Sequence, residues 1–225
     1  MATERKYLTT PPAPVRWANL LSPDYRFATQ NDPRGTYSIE VLLDPARENH
    51  AAILKELENY WASEYEATCR AERKKALVVH DKPWKTDTGD DGAPTGLVSL
   101  RPKNKEYFTD KAGKRVNVTV DQFDSQETPI RVQIGNGSTC KVNFEVFAFY
   151  HAGKFGLSLR LRAVQVVELV DFDRNYGFEK TSGYVGERYV APIATAHEAP
   201  REVQAAMSEE EVQDGFGTEN DELPF

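Results

Sequence analysis

The chain has 225 residues, 40% hydrophobic and 11% aromatic, enough for one sizeable core with extensions. Its formal net charge of −7 is unevenly placed, because residues 198–225 hold nine acids and one base, and setting that −8 aside leaves the other 197 residues at +1. The N-terminus is polar, no apolar run approaches 18 residues, and two cysteines stand 71 residues apart without a CxxC; this excludes a disulfide scaffold, a zinc ribbon and a membrane-spanning helix, and points to the cytoplasm.

Proline-rich residues 1–35 read as an extended lead-in with a short edge strand at 15–21, since proline lacks the N–H and fixes φ. Thr36–Leu43 alternates cleanly, a half-buried strand closed by Asp44-Pro45. From Pro45 to Lys75 the period changes. Ile53, Leu57, Tyr60, Trp61, Tyr65 and Cys69 recur at spacings of three and four, which predicts one long amphipathic helix. Residues 80–96 read as a loop, with Asp87, Asp90 and Asp91 in a flexible acidic turn. Strands are expected at 97–103 and 114–123, with a hairpin turn at Asp110–Gly113, and at 130–134 before a Gly135-Asn136-Gly137 turn. Two long strands close the domain around a tight His151-Ala152-Gly153 hairpin. Val142, Phe144, Val146, Ala148 and Tyr150 share one face; Leu157, Leu159, Leu161, Ala163, Val167 and Leu169 share another. Gln165 interrupts that inner face, so a bulge or barrel end is expected there.

The expected fold is all-β dominated, an OB-fold-like β-barrel with one long α-helix and a disordered acidic C-terminal tail. Residues 1–193 are expected to form the barrel domain, of which 170–193 is a loosely packed extension, and 194–225 the disordered tail with its tip.

Cations interleave with aromatic rings in three stretches: Lys82, Trp84 and Lys85; then Arg101, Lys103, Lys105, Tyr107, Phe108, Lys111, Lys114 and Arg115; and Lys154, Phe155, Arg160 and Arg162, expected on the outer face of the last hairpin. Single-stranded DNA needs that mixture, because cations neutralise phosphates and rings stack on unpaired bases. Taken singly, each of these side chains has an ordinary explanation as solvated surface or barrel filling. Catalytic alternatives are weaker. The four histidines lack metal-ligand spacing, no phosphate-binding glycine loop is present, and Asp121, Asp124, Glu127 and Glu145 come without a lysine motif that would make a nuclease centre. No cofactor is expected.

The segments RPKNKEYF (101–108), DKAGKRVNVTVDQFDSQETPI (110–130) and IGNGSTCKVNFEVFAFYHAGKFGLSLRLRAVQVVEL (134–169) together resemble the single-stranded-DNA-binding proteins of tailed bacteriophages. The ending Asp221-Glu222-Leu223-Pro224-Phe225 is similar to the acidic, Pro-Phe tip of bacterial single-stranded-DNA-binding proteins. The resemblance implies an OB-fold binder of single-stranded DNA that is not an enzyme, acting in DNA replication, recombination and repair in the host cytoplasm during infection. It also implies that the tip docks on replication or recombination proteins such as polymerase or helicase-primase, and it raises a homodimer formed by exchanged tails. The competing readings are a nuclease on the same barrel and an interaction module whose tail only solubilises.

Overall fold

The computed structural model describes residues 5–171; the remainder of the Tyr/Gly-rich extension, the acidic tail and its tip lie outside the described residues. Alternation in the lead-in builds two strands, β1 (Lys6–Thr9) and β2 (Ala13–Asp24). β2 is longer than the 15–21 stretch expected from proline spacing. Its ladder with β3 (Thr36–Leu43) is broken between Arg16 and Asn19 and again between Asn19 and Asp24, which leaves Pro23 out of the pairing. Proline is tolerated at such irregularities because no ladder hydrogen bond is asked of it.

The helix is α1 (Glu48–Ala71), with Ile53 and Leu57 buried against the barrel. Each such apolar side chain contributes about 1.5–3 kcal/mol by leaving water. His50 is buried as well, and it joins the helix start to the chain on either side. Its Nδ1 accepts from the Asp44 N–H at 3.0 Å and its Nε2 lies 3.3 Å from the Pro12 carbonyl. Trp61 and Tyr65 stack at 5.1 Å, and both meet Phe155 in T-shaped contacts.

After α1 come β4 (Val78–Val79), β5 (Trp84–Thr88) and β6 (Pro94–Leu100). The expected 80–96 loop is therefore largely an antiparallel hairpin, β5 on β6, whose tip at Gly89–Ala93 is closed by a Gly89 N–H to Ala93 carbonyl bond of 2.9 Å. Asp87 is buried within it, not part of a flexible turn. Pro102 separates β6 from β7 (Lys103–Lys105), so the strand predicted at 97–103 is two.

The 114–123 strand also divides, because the chain changes sheets within it. β8 (Tyr107–Thr109) and β9 (Arg115–Asn117) make a separate hairpin around the Asp110–Gly113 turn, whereas β10 (Asp121–Phe123) joins the main sheet. Only β11 (Pro129–Ile130) and an isolated Ile134–Asp171 bridge remain of the strand expected at 130–134. The long pair β12 (Thr139–His151) and β13 (Lys154–Glu168) turns at Ala152-Gly153, both at positive φ, the two-residue turn whose twist suits a hairpin.

β2 pairs with β3, β3 with β7, β7 with β13 in parallel, β13 with β12, and β12 returns to β2. Five strands thus close a ring around Val15, Ile39, Val41, Val142, Phe144, Val146, Leu159 and Leu161. The bulges in β13 fall at Val167 and Arg162, on either side of Gln165 and not at it: Thr139 faces Glu168 while Cys140 faces Val166, and Asn143 faces Ala163 while Phe144 faces Leu161. An extra residue flips the alternation, so Val164 and Val166 are the buried residues beyond it, while Val167 and Leu169 are exposed. Gln165 faces outward and its amide donates to the Asp124 carbonyl at 3.1 Å.

Candidate nucleic-acid interface

Strand register decides which predicted cations meet. Ser38 of β3 lies opposite Lys103 of β7, and Lys103 lies opposite Arg160 of β13. Arg101 and Lys105 flank Lys103 two residues to either side, and Arg162 follows Arg160 by two. The period of two puts Lys103 and Lys105 on one face of β7 in line with Arg160 of β13, while Arg101 precedes the strand and Arg162 is the extra residue of the β13 bulge. Lys105 is held by Asp32 at 2.9 Å, and Arg34 grips the same carboxylate. Burial works against the charge of Asp32, but the hydrogen bonds from Arg34 and Lys105 outweigh it and hold the carboxyl well below its ordinary range.

Arg160 is buried, contrary to the expectation that it lies open on the outer face. It pairs with Glu145 at 3.4 Å and covers the Phe147 ring at 5.0 Å, and burial pushes its guanidinium below the usual value. Arg5 meets the same Glu145 at 3.7 Å, and Arg162 lies 5.9 Å over the Tyr7 ring, itself 49% exposed.

A second group forms where the β2–β3 loop meets the β8–β9 hairpin. The Tyr25 hydroxyl donates to Glu106, the Glu106 N–H donates to the Gly35 carbonyl at 3.0 Å, and Arg115 lies 3.8 Å from the Glu106 carboxylate. Arg115 also stacks on Tyr107, 3.7 Å from the ring centroid. Tyr25 is 53% and Phe27 68% exposed, and Arg26 between them is clamped by Asp24 at 2.8 Å. Phe108 is half-buried in the same hairpin, with Lys111 and Lys114 exposed around its turn.

The first and third predicted stretches do not join this surface intact. Trp84 is 9% exposed and donates its indole N–H to Glu58 at 2.9 Å; Phe155 is 0% exposed under α1. Neither ring is available to a base, because each fills the seam between helix and sheet. Lys82 is paired with Glu58 and lies 4.7 Å over Trp61, and Lys85 is exposed on the same hairpin. Lys154 opens β13 beside β4, six residues from Arg160, which is about 20 Å of strand.

Sequence reasoning passed over four exposed rings: Tyr7, Tyr25, Phe27 and Trp17, the last 58% exposed. The alternation Tyr25-Arg26-Phe27 was a usable signal, masked by the prolines around it. Behind them Arg16 binds Glu40 at 3.1 Å and also Asp87, while Ser99 donates to Glu40 and Thr95 to Asp87 at 2.8 Å. Burial alone would raise both carboxyls, yet these donors bring both below their ordinary values. Among the described residues, no cluster of His, Cys, Asp and Glu is arranged to hold a metal, and no helix is long and apolar enough to cross a membrane.

A closed barrel with a cation-and-ring surface is the build of a single-stranded nucleic-acid binder. The family model described as single-stranded DNA-binding protein, bacteriophage T7, matches residues 13–172, and the chain belongs to that family, whose members are binders and not enzymes. The crystal structure of gp2.5, a single-stranded DNA binding protein encoded by bacteriophage T7, is similar at TM-score 0.63 and 22% identity, over 81% of this chain and 100% of that one. The single-stranded DNA-binding protein from bacteriophage Enc34, in complex with single-stranded DNA, is similar at TM-score 0.52 and 12% identity, over 73% of this chain and 88% of that one. No curated protein matches the sequence.

Proposed function

We propose that the protein coats single-stranded DNA without sequence preference during phage replication, recombination or repair, and that its acidic tail both competes for the DNA surface and recruits partner proteins. The observation that carries this reading is the placement of Lys103 and Lys105 on β7, next to β3 and tied through Asp32 to the β2–β3 loop, whose Tyr25 and Phe27 rings are exposed. The five-stranded ring supports assignment to the OB-fold, which binds oligonucleotides across its strands. Arg101, Lys103, Lys105, Arg115 and Arg162 are the phosphate contacts in this reading; Tyr25, Phe27 and Tyr107 are stacking surfaces.

Residues 198–225 supply the anionic competitor, and DNA displaces it because phosphates are denser along a strand. Phe225 fills an apolar pocket on a polymerase or helicase-primase, while Asp221 and Glu222 meet its arginines; Leu223 and Pro224 set the spacing.

The test is a fluorescence titration of labelled oligo-dT across a salt series, on the full chain and on a chain lacking residues 198–225. Binding weakens with a log–log slope of about −0.7 per phosphate contacted. Truncation tightens binding, most at low salt; Phe225→Ala leaves DNA affinity near wild type but weakens pull-down of the polymerase or helicase. Failure to bind at low salt, or indifference to salt, overturns the DNA reading. Weaker binding by the truncated chain overturns the competition, and an unaffected pull-down returns the tip to a solubilising role.

A further inference from the structure

Trp17 is the least comfortable residue in the barrel. Its φ is +54°, a region that bulky side chains avoid, and its ring is 58% exposed although indole is largely apolar. Two residues of β2, Trp17 and Ala18, stand opposite the single Ile39 of β3, since Arg16 faces Glu40 and Asn19 faces Ser38. This is a β-bulge, and a bulge re-aims a side chain. Arg16 is tied to Glu40 and Asp87, and Ala18 is buried; Trp17 is the residue the bulge presents to solvent.

The bulge takes the Trp17 N–H out of the ladder, and one side chain collects it. Asn136 Oδ1 accepts it at 2.8 Å. Asn136 sits in the turn Gly135–Ser138, which is pinned on both sides. The Gly137 N–H donates to the Val15 carbonyl at 2.9 Å, and the Gly135 N–H to the Val170 carbonyl at 3.0 Å. Gly137 has φ +90°, and a Cβ on Gly135 would lie 2.4 Å from the Val170 carbonyl oxygen, so the turn needs glycine at both places. A strained, exposed tryptophan with a dedicated brace is a costly arrangement, and it persists only where the surroundings over-determine it.

We propose that Trp17 stacks on a base of single-stranded DNA and that the Gly135–Ser138 turn, through Asn136, is its positioning device. The proposal rests on the DNA-binding reading above. A base offers the flat partner that a rigid, solvated indole lacks, and stacking asks for no particular sequence. Asn19, two residues further along β2, stands in the register row that continues through Ser38 to Lys103, so a cation for a flanking phosphate lies two strands away on β7.

The chain has three tryptophans; Trp84 is buried and Trp61 is half-buried and stacked on Tyr65, so the comparison with W17F assigns the emission change on adding oligo-dT to Trp17. In the full chain, oligo-dT quenches the tryptophan emission and protects it from iodide. W17F binds within a few-fold of wild type but loses the quench. W17A binds about 5- to 150-fold more weakly with an unchanged salt slope, as loss of a stacking and not a phosphate contact requires. N136A weakens binding several-fold, again with the slope unchanged. If wild type binds oligo-dT but its emission does not respond, or W17A binds as wild type does, Trp17 is not a stacking residue. N136A binding as tightly as wild type overturns the positioning role. A wild-type chain that does not bind oligo-dT at low salt overturns the underlying DNA reading instead.

Discussion

Arg16 is the hub of the polar network behind the exposed rings, and replacing it with methionine tests what that network does for stability. The substitution keeps much of the aliphatic stem but leaves Glu40 and Asp87, both nearly inaccessible, without the guanidinium; Ser99 and Thr95 still donate, and Arg101 remains as a more distant charge on Glu40. Stripping a buried carboxylate of its cation costs about 3–5 kcal/mol. Two features place this case at the lower end. The Arg16 side chain is 30% exposed, and its Nε is already the one buried side-chain polar atom without a partner among the described residues. We expect a loss of about 3 kcal/mol at pH 7, or a fall in Tm of roughly 6–12 °C for a domain of this size. The sign with pH follows from the carboxyls. In the wild type, Glu40 and Asp87 have folded values below their ordinary 4.5 and 3.8, so they contribute stability above those values and lose it as pH falls through the depressed ones. In R16M, burial pushes both upward, so the variant's deficit is largest at pH 7 and shrinks towards pH 4.5 and below. Urea unfolding at pH 7 and 4.5 measures both quantities. The triple variant R16M/E40Q/D87N recovers much of the loss, because no unpaired charge remains buried. A deficit under about 1 kcal/mol, equal at the two pH values, would show that the network behaves as a surface ion pair.

Two further outcomes separate stability from binding. Phe155→Ala removes a fully buried ring packed against Trp61 and Tyr65, so it lowers unfolding free energy by about 3–5 kcal/mol while oligo-dT affinity, measured well below the melting temperature, stays near wild type; an affinity loss with stability intact reverses that assignment. R101Q/K103Q weakens oligo-dT binding for every sequence tested and flattens the salt slope by about 1.4, two phosphate contacts at about 0.7 each; a slope equal to wild type places the DNA elsewhere.

The period-two and period-three-to-four runs were enough to recover the helix and the strands at 36–43, 139–151 and 154–168, because each is long and sends regularly spaced apolar residues into a single core. The charge asymmetry between body and tail is likewise a property of the sequence alone. Short strands were less legible. β5, β10 and β11 are held by pairing to distant partners, and three to five residues carry too little alternation to announce that pairing.

The surface shows where linear reading stops. Lys82, Trp84, Lys154 and Phe155 looked like the rest of the cation–aromatic pattern, but α1 packs Trp61 and Tyr65 on Phe155 and Glu58 on Trp84, and makes both rings core. Whether a ring stacks on a base or fills a seam depends on what folds over it. Trp17 is the reverse case. Its neighbours in sequence suggest an ordinary edge strand, and only the mismatch of two β2 residues against Ile39, braced by Asn136 from 119 residues away, brings the indole to the surface. Residue types and their periods therefore determined the elements, the helix and the kind of ligand to look for. Register, a long-range property that one inserted residue reverses, decided which rings and cations face it.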